Sequence, residues 1–391
     1  VSGASGSSSC RVACSADDEC SSENDGWTCS SASCVGSPAL LSSSGPSAGA
    51  RCPTFAAGVQ EPLNVTTTFE PVPGSANVER AHADEGGVYW IELDGSVRGV
   101  LKGTNTTITY SDAPNPPSSR LGLMSDSTRL YWTEASAYPG GPLEPGLPPP
   151  PGRLMAVPKT GGTPERLVES ETSVLTPVGV TPAGRTFVLS SESFLEEVTS
   201  AATLERVFNV PPLEGGGIQL VDSQVYWSSY DADTEQTVVY AATPGSGAPL
   251  RVTEVEGGTY YPFVAGRGVV LWTPGETRFD PLLLVQHFMM LNENTGCVQP
   301  LPSEDLSIGQ ILLDGRHVYW SSFNALGSGS PPGGLPSGPT WLRVNLATGR
   351  FERIVVAGVD GALTTDLIAQ DATTLYLHPT NEGLYAVRKP E

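Results

Sequence analysis

The 391-residue chain has few charged residues and an excess of turn formers. Only 16% of its residues are charged, whereas 44 are Gly and 35 are Pro. Gly and Pro are poor helix formers, so a helix bundle or coiled coil is excluded. No Gly-x-y period runs through the chain, and 39% of the residues are hydrophobic, enough to build a core. Collagen and a fully disordered chain are therefore excluded as well.

Positive charge is scarce. Lys and Arg number 21 against 42 Asp and Glu, which gives a formal net charge of −21. A nucleic-acid-binding protein needs a basic face, and this composition does not supply one. The acidic balance favours solubility and repels acidic partners.

Long apolar runs are missing too. The most apolar stretch, residues 282–291, is too short to span a bilayer and contains Gln286 and His287, so we predict a buried strand and no transmembrane segment. The chain starts at Val1 without Met and shows no signal peptide, and we expect a processed or incompletely represented protein. Residues 1–9 are only Val, Ala, Ser and Gly, typical of a flexible tether.

Cysteine is nearly absent after residue 52 and crowded before it. Such a segment, rich in Ser and poor in aliphatic residues, cannot build a core and needs covalent staples. We therefore predict a disulfide-stapled segment over 10–52 and an extracytoplasmic location, secreted or at the cell surface. Zinc is the less favoured alternative, because no CxxC pair occurs. The pairing is open: Cys297 either pairs with Cys52 or is free. The cysteines are Cys10, Cys14, Cys20, Cys29, Cys34, Cys52 and Cys297.

A short aromatic motif repeats along the rest of the chain. Five copies end in Trp, at Trp90, Trp132, Trp227, Trp272 and Trp320, and each Trp follows Tyr or Leu. Two degenerate copies, at 187–189 and 375–377, fit the same frame. The copies are 38 to 57 residues apart, and each lies among three other apolar runs joined by Gly-containing turns.

Four strands per unit of this size indicate a β-propeller blade. We predict an all-β protein over 60–391: a seven-bladed β-propeller with four-stranded antiparallel blades, or a six-bladed ring if the copy at 187–189 is a decorated loop. The chain stops after the third strand of the last blade, so an N-terminal strand must close the ring. We assign this strand to residues 63–69. The repeated Trp residues are expected to pack between neighbouring blades.

The motif resembles a known group at this point. Tyr131-Trp132-Thr133-Glu134 is similar to the YWTD-type repeats of lipoprotein-receptor propellers and of secreted bacterial proteins. The resemblance implies the fold but no particular activity. The sequence departs from the pattern, since other copies replace Thr-Asp and there are seven copies where YWTD propellers have six blades.

Long connections rich in Pro and Gly are predicted on one face of the ring. Two of them, residues 138–152 and 325–339, fall between the second and third strands of their blades, and the Asp231 loop and residues 274–281 occupy the same position in theirs. Loops on a rigid scaffold often carry binding. Cheap tolerance of insertions is the competing interpretation. The predicted partner-binding residues are Tyr138, Pro149, Tyr230, Arg278, Asp280, Phe323 and Pro332.

Chemistry-bearing motifs are sparse. Asp231, Asp233 and Glu235 alternate as Ca²⁺ ligands can, although the glycine and closing glutamate of an EF-hand are missing. We predict no cofactor, with Ca²⁺ at this loop as the alternative. No GxSxG or phosphate-binding loop is present, and the four His are expected to be structural.

These features favour a non-catalytic extracellular propeller that binds protein or glycan, or assembles with other copies, through its decorated face. The alternative is an extracellular hydrolase or lyase with its active site on the propeller axis, which requires several titratable side chains to converge there. The first-strand runs carry few such groups, so the enzyme reading is the less favoured one.

Overall fold

A computed structural model describes most of the repeat region, and among the described residues it contains strands and no helix. The described residues are 29–30, 33–34, 61–65, 70–112, 118–136, 151–210, 217–231, 236–245, 249–256, 264–266, 268–272, 289–292, 297–300, 307–323, 340–356, 365–379 and 383–390. The predicted tether, most of the segment 10–52 and most of the long connections lie outside them.

Apart from one two-stranded ladder before residue 60, the strands form seven sheets, and each of these sheets is one blade of a seven-bladed propeller. Blades 1 to 4 consist of Val78–Asp84, Gly87–Glu92, Val97–Leu101 and Thr107–Ser111; Ser118–Ser125, Arg129–Ser136, Gly152–Pro158 and Glu165–Ser170; Leu175–Val180, Thr186–Ser190, Phe194–Val198 and Leu204–Asn209; and Ile218–Val221, Gln224–Asp231, Gln236–Ala242 and Leu250–Glu256. Successive strands within each blade pair antiparallel. The copy at 187–189 thus belongs to a complete blade, and the six-bladed alternative is wrong.

Blades 5 to 7 follow the same order. Their strands are Val264–Gly266, Val269–Trp272, Met289–Asn292 and Cys297–Pro300; Ser307–Leu313, His317–Phe323, Thr340–Asn345 and Phe351–Val356; and Thr365–Gln370, Thr374–Pro379 and Tyr385–Arg388. Blade 7 therefore receives only three strands from its own repeat, as the sequence predicts.

An N-terminal strand closes the ring, but it is not the predicted one. Glu70–Pro71 pairs antiparallel with Tyr385–Arg388 and supplies the fourth strand of blade 7. Glu61–Val65, which contains the start of the predicted 63–69 strand, instead pairs parallel with the outer strand of blade 6. The prediction placed the closing strand too early because the chain crosses the rim of blade 6 before it reaches blade 7.

The core is divided among the seven junctions between neighbouring blades. At five junctions, the first and third motif residues of one blade meet the second motif residue of the preceding blade; at the junctions before blades 3 and 5, one of the two does so among the described side chains. Trp132, for example, packs with Tyr89 of blade 1, and Trp90 packs with Tyr376 of blade 7. The side chains of Trp90, Trp132 and Trp227 are fully buried. Truncating one of them to Ala would cost about 3–5 kcal/mol.

Blade 3 keeps this arrangement in a frame shifted by one residue. Val188 packs against blade 2, whereas Phe187 packs against blade 4. The motif of blade 3 is therefore Thr186-Phe187-Val188, one residue earlier than the sequence comparison assigned it. Without an aromatic in the third position, apolar pattern alone could not fix the frame, because a one-residue slip exchanges the two faces of a strand.

Two cysteines of the N-terminal segment face each other across a short ladder. Cys29–Ser30 pairs antiparallel with Ser33–Cys34, so Cys29 and Cys34 are direct cross-strand partners. The other predicted cysteine partners before residue 60 lie outside the described residues. In the part of the chain that is described, no helix is long and apolar enough to span a membrane.

Candidate functional site

The blade topology gives the ring two different ends. We call the end that carries the first-to-second and third-to-fourth connections the turn end, and the opposite end, with the second-to-third connections and the links between blades, the loop end. First-to-second connections are short in every blade, as between Asp84 and Gly87 or Val221 and Gln224. The turn end is therefore compact, and insertions accumulate at the loop end.

Three connections at the loop end are long. They span residues 137–151 in blade 2, 273–288 in blade 5 and 324–339 in blade 6. The Asp231 loop, the fourth connection predicted at this end, is short: Asp231 and Gln236 are paired across blade 4, so only residues 232–235 remain between the strands.

Two of the predicted binding residues lie in the part of the loop end that the structure describes. Tyr230 and Phe323 are at the ends of second strands, where the structure describes their backbone. Tyr138, Pro149, Arg278, Asp280 and Pro332 lie outside the described residues, within the three long connections. One apolar side chain of this end is described and strongly exposed: Leu93, in the short blade 1 connection, is 69% exposed.

The predicted Ca²⁺ ligands are only partly described. Asp231 closes the blade 4 hairpin through its backbone, while Asp233 and Glu235 lie outside the described residues. Across the part of the chain that the structure covers, no group of three His, Cys, Asp or Glu side chains could hold a metal ion.

A carboxylate two residues after Trp holds the strand ends in blades 1 and 2. The indole nitrogen of Trp132 donates to Glu134 at 2.9 Å, and that of Trp90 donates to Glu92 at 3.3 Å. Residues two apart on a strand share a face, which makes these contacts possible. Buried Arg120 completes the blade 2 group, with its Nη2 atom 3.1 Å from the Glu134 carboxylate. The acid that replaces Asp of the YWTD pattern is thus a structural partner of Trp.

At the turn end, an aspartate organises the first-to-second turn of four blades. Asp314 Oδ1 accepts hydrogen bonds from the backbone of Arg316 and His317, and Oδ2 accepts the hydroxyl of Tyr319 at 3.0 Å. Asp126 and Asp371 repeat this pattern with Tyr131 and Tyr376. The turn therefore explains why Asp recurs six residues before the third motif position.

All three lysines of the chain form ion pairs between blades, at three consecutive junctions. Each follows the third strand of its blade and reaches the turn aspartate of the preceding blade, a contact that we call an inter-blade latch. Lys389 Nζ is 3.1 Å from Asp314, Lys102 Nζ is 3.3 Å from Asp371, and Lys159 donates to Asp84. The latches join blades 6 to 7, 7 to 1 and 1 to 2, around the seam where the chain ends meet.

The latches keep their aspartates ionised. Burial alone would raise the pKa of Asp84, but hydrogen bonds from Lys159 and Ser125 outweigh it and hold the pKa below its usual 3.8. The pKa of Asp314 is likewise lowered, because two backbone N–H groups and Lys389 overcome the effect of burial. Lys159 and Lys389 are nearly buried, at 8% and 6% exposure, whereas Lys102 is 39% exposed.

The latch between blades 1 and 2 carries two extra polar side chains. Ser125, on the first strand of blade 2, donates its hydroxyl to Asp84 Oδ2, and His82 Nε2 lies 3.0 Å from the same hydroxyl. Burial lowers the pKa of His82 below 6.5, so its imidazole is neutral at pH 7. Sequence analysis missed this group because its members come from different blades, and only the shared Lys register of three third strands could have indicated it.

Three titratable side chains, Lys159, Asp84 and His82, therefore do converge. They meet at a blade junction near the first strands, whereas the sequence had indicated few titratable groups on the first strands. Their polar atoms bind one another: Lys159 and Ser125 both donate to Asp84, and His82 contacts Ser125. Because the Lys–Asp pair recurs at two junctions that have no such Ser–His pair within the described residues, its first role is to hold blades together.

Comparison with known proteins identifies the fold and no family. No family model matches the chain, and no curated protein matches it. Among solved structures, YCF48 bound to D1 peptide is 8% identical, with a TM-score of 0.56 over 85% of this chain and 98% of that one. The GH74 xyloglucanase from Xanthomonas campestris is 13% identical with a TM-score of 0.53, and the match covers 82% of this chain.

A third match is the acylaminoacyl peptidase of Pyrococcus horikoshii, at 9% identity and a TM-score of 0.51 over 81% of this chain. The match covers 53% of the xyloglucanase and 52% of the peptidase, about half the length of each. At these identities the matches show the propeller fold alone, because one fold hosts many unrelated functions.

Proposed function

We propose that the protein is an extracellular binding propeller of the YWTD-like type that engages a protein or a glycan through its loop end. One observation carries the proposal: the three long second-to-third connections all leave the ring at the same end, while the turn end is compact and tied by inter-blade latches. Rigid scaffolds that present long loops on one side are suited to recognition.

Two further features support this function. Leu93 adds an exposed apolar side chain to the same end, and recognition surfaces commonly combine apolar anchors with a polar rim. The YCF48 structure has a peptide bound, and we extend to this chain the idea that a ring of similar architecture can hold a peptide.

Extracytoplasmic location is part of the proposal. It rests on the crowding of cysteines before residue 52, to which the structure adds the opposed pair Cys29 and Cys34. Mass mapping of the non-reduced protein would test it, and six alkylatable thiols in that segment would contradict it.

The binding proposal can be tested by shortening the loops. Each long connection is replaced by a two-residue Asn-Gly turn, which suits a tight hairpin. The intact ring and its three variants are then measured against arrays of glycans and of extracellular peptides. We expect a saturable ligand for the intact ring and its loss in at least one variant. Shortening the turn-end connection 243–249 is the matched control and should leave binding unchanged.

A hydrolase is the second candidate, and the Ser125–His82 contact is the observation that favours it. A serine hydroxyl next to a neutral imidazole can act as a nucleophile. It is the weaker candidate because the hydroxyl donates to Asp84 and not to the imidazole. If a fluorophosphonate labels the wild type but not Ser125→Ala, the hydrolase function is established. If the wild type is not labelled, the hydrolase function is rejected.

A further inference from the structure

The outer edges of the blades are not alike. In blades 1 to 4 the outer strand carries a one-residue bulge at the same place. The bulge lies against the two third-strand residues that pair with the third and fourth motif residues. The bulged residues are Tyr110, Leu167, Val207 and Val252. A bulge interrupts the row of backbone groups on an edge and hinders the addition of another strand. These four edges are therefore protected.

The outer edge of blade 6 has no such protection. Its strand Phe351–Val356 pairs with the third strand in unbroken register from Trp341 to Val344. Blade 5 also has a regular outer strand, but Cys297–Pro300 is only four residues long and ends in proline. Among the described blades, only blade 6 thus offers a regular edge of six residues.

That edge is already occupied by a strand that the ring does not need. Glu61–Val65 lies parallel to it through five consecutive Cα partners, from Glu61 with Glu352 to Val65 with Val356. Blade 6 has four strands of its own, and Glu70–Pro71 alone completes blade 7. Glu61–Val65 can therefore leave the edge without taking a strand from any four-stranded blade.

We propose that the outer edge of blade 6 is a strand-acceptor site whose partner is the Glu61–Val65 segment of a second copy of this chain. The segment already fits the edge in a defined register, and a second copy presents the same segment and the same edge. Reciprocal exchange of the two segments gives a closed, two-fold symmetric dimer. Addition of a strand to an exposed edge is a common mode of association, driven by main-chain hydrogen bonds.

The tethered segment competes with the incoming one. A short linker gives its own strand an effective concentration on the order of millimolar, so exchange becomes substantial only when copies are crowded to that level. Such crowding arises when many copies are anchored to one surface. The dilute protein is therefore expected to be a monomer.

Pro62 indicates which residues make the ladder. Every other residue of a parallel strand bonds to a given neighbour, and proline is tolerated where the N–H would face away. The backbone nitrogen of Pro62 then points away from blade 6, the N–H of Leu63 points toward blade 6 as a donor, and the N–H of Asn64 again points away. Leu63→Pro removes a ladder donor, whereas Asn64→Pro changes the neighbouring residue without removing one and is the matched control.

The test measures association of the full chain by light scattering after incubation at about 1 mM. We expect the fraction of dimer to rise with concentration in the wild type and in Asn64→Pro. In Leu63→Pro, the fraction of dimer should be at least tenfold lower. Because Leu63→Pro frees its own edge, a synthetic peptide of residues 58–68 should bind it at least tenfold more tightly than it binds the wild type. A wild type that stays monomeric at 1 mM, or equal behaviour of the two proline variants, would overturn the proposal.

Hydrogen exchange on the unaltered chain provides a test that does not depend on the variants. The amides of Leu63 and Val65, which point toward blade 6, should exchange at least 100-fold faster than those of the second strand of blade 6, His317–Phe323, because the segment detaches while the ring stays folded. Equal protection of the two strands would mean that the segment leaves only when the ring unfolds, and exchange between copies would be excluded.

Discussion

At the residue scale, the repeated Trp is held in two different ways. Trp132 donates its indole N–H to Glu134, whereas the indole nitrogen of Trp227 is buried without a hydrogen-bond partner among the described residues. Trp227 is stacked instead between Phe208 and Tyr240, with ring centroids 5.2 and 5.4 Å away. The same slot therefore tolerates different polar surroundings as long as the ring fills the junction.

This difference predicts unequal costs for Trp→Phe. Phe removes the N–H but keeps an aromatic ring, so Trp132→Phe loses a charge-assisted hydrogen bond and Trp227→Phe does not. We expect Trp132→Phe to cost about 1–3 kcal/mol more in urea unfolding than Trp227→Phe. The explanation fails if Trp227→Phe is the more destabilising of the two.

The inter-blade latches make a second prediction at this scale. Lys159→Met leaves Asp84 half-buried without its cation, so we expect a loss of about 2–4 kcal/mol in the free energy of unfolding. Lys102→Met removes the same type of contact, but this lysine is 39% exposed, so solvent screens its charge, and the buried Asp371 keeps its hydrogen bonds from Thr373, Thr374 and Tyr376; the cost should be about 1 kcal/mol or less. Equal losses in the two variants would contradict the assigned burial.

Acid should destabilise the ring in two stages. Burial lowers the pKa values of His82 and His317 below 6.5, so the unfolded chain binds these protons first and stability falls as the pH drops below about 6.5. The depressed pKa values of Asp84, Asp314 and Asp371 stabilise the ring above pH 3.8, and this contribution is lost as the pH falls through them. Melting temperatures between pH 7 and 3 measure both stages.

His82→Gln and His317→Gln separate the two stages. In the double variant, the melting temperature should change little between pH 6.5 and 4.5 and should still fall below pH 4. A wild-type melting temperature that is constant from pH 7 to 5 would contradict the burial of these imidazoles.

At the element scale, the seam between the chain ends depends on close backbone approach. Ser75 bridges it, with its hydroxyl donating to Val72 and accepting the N–H of Leu384. A Cβ on Gly383 would lie 2.1 Å from the Ser75 carbonyl oxygen, a backbone atom that cannot turn aside. Glycine is thus required where the last blade meets the closing segment.

Gly383→Ala is therefore expected to destabilise the ring by about 1–3 kcal/mol or more, through displacement of the seam. Gly217→Ala is the matched control, since a Cβ there would meet nothing within 4 Å. Unfolding midpoints of the two variants decide the matter, and an unchanged midpoint for Gly383→Ala would show that the ring does not close as described.

The sequence predicted these elements unevenly. Trp and Tyr marked the second strand of most blades because a large buried side chain at a fixed slot leaves a strong signal. Blade 3 lacked that signal and its frame was displaced by one residue, at Val188. The closing strand was misplaced because the chain forms two short strands before blade 1, Glu61–Val65 and Glu70–Pro71, and the sequence does not show which sheet edge each of them meets.

The polar sites were harder to predict than the strands. The Asp turn was visible as a spacing, but its lysine comes from the next blade, about 75 positions away for Asp84 and Lys159. Ser125 and His82 meet in the same way, across a junction. Local pattern gives no access to contacts of this kind, which arise only when the ring closes. The binding residues predicted in the long connections remain predictions.

At the scale of the whole molecule, the ring is asymmetric from end to end and around its circumference. Latches tie blades 6, 7, 1 and 2 at the turn end, next to the seam, while insertions in blades 2, 5 and 6 occupy the loop end. The seam is thus reinforced where a closed ring is most easily opened, and the loop end is left to vary. This difference between the two ends supports recognition through the loop end as the function.

The most direct test of that function compares the intact ring with one in which all three long connections are replaced by Asn-Gly turns. Dissociation constants are measured for the ligand found on the arrays, and thermal unfolding checks the fold. We predict that the shortened ring melts as the intact one does and binds at least about 100-fold more weakly, a loss of about 3 kcal/mol. Equal affinity in the two rings would contradict recognition through the loop end.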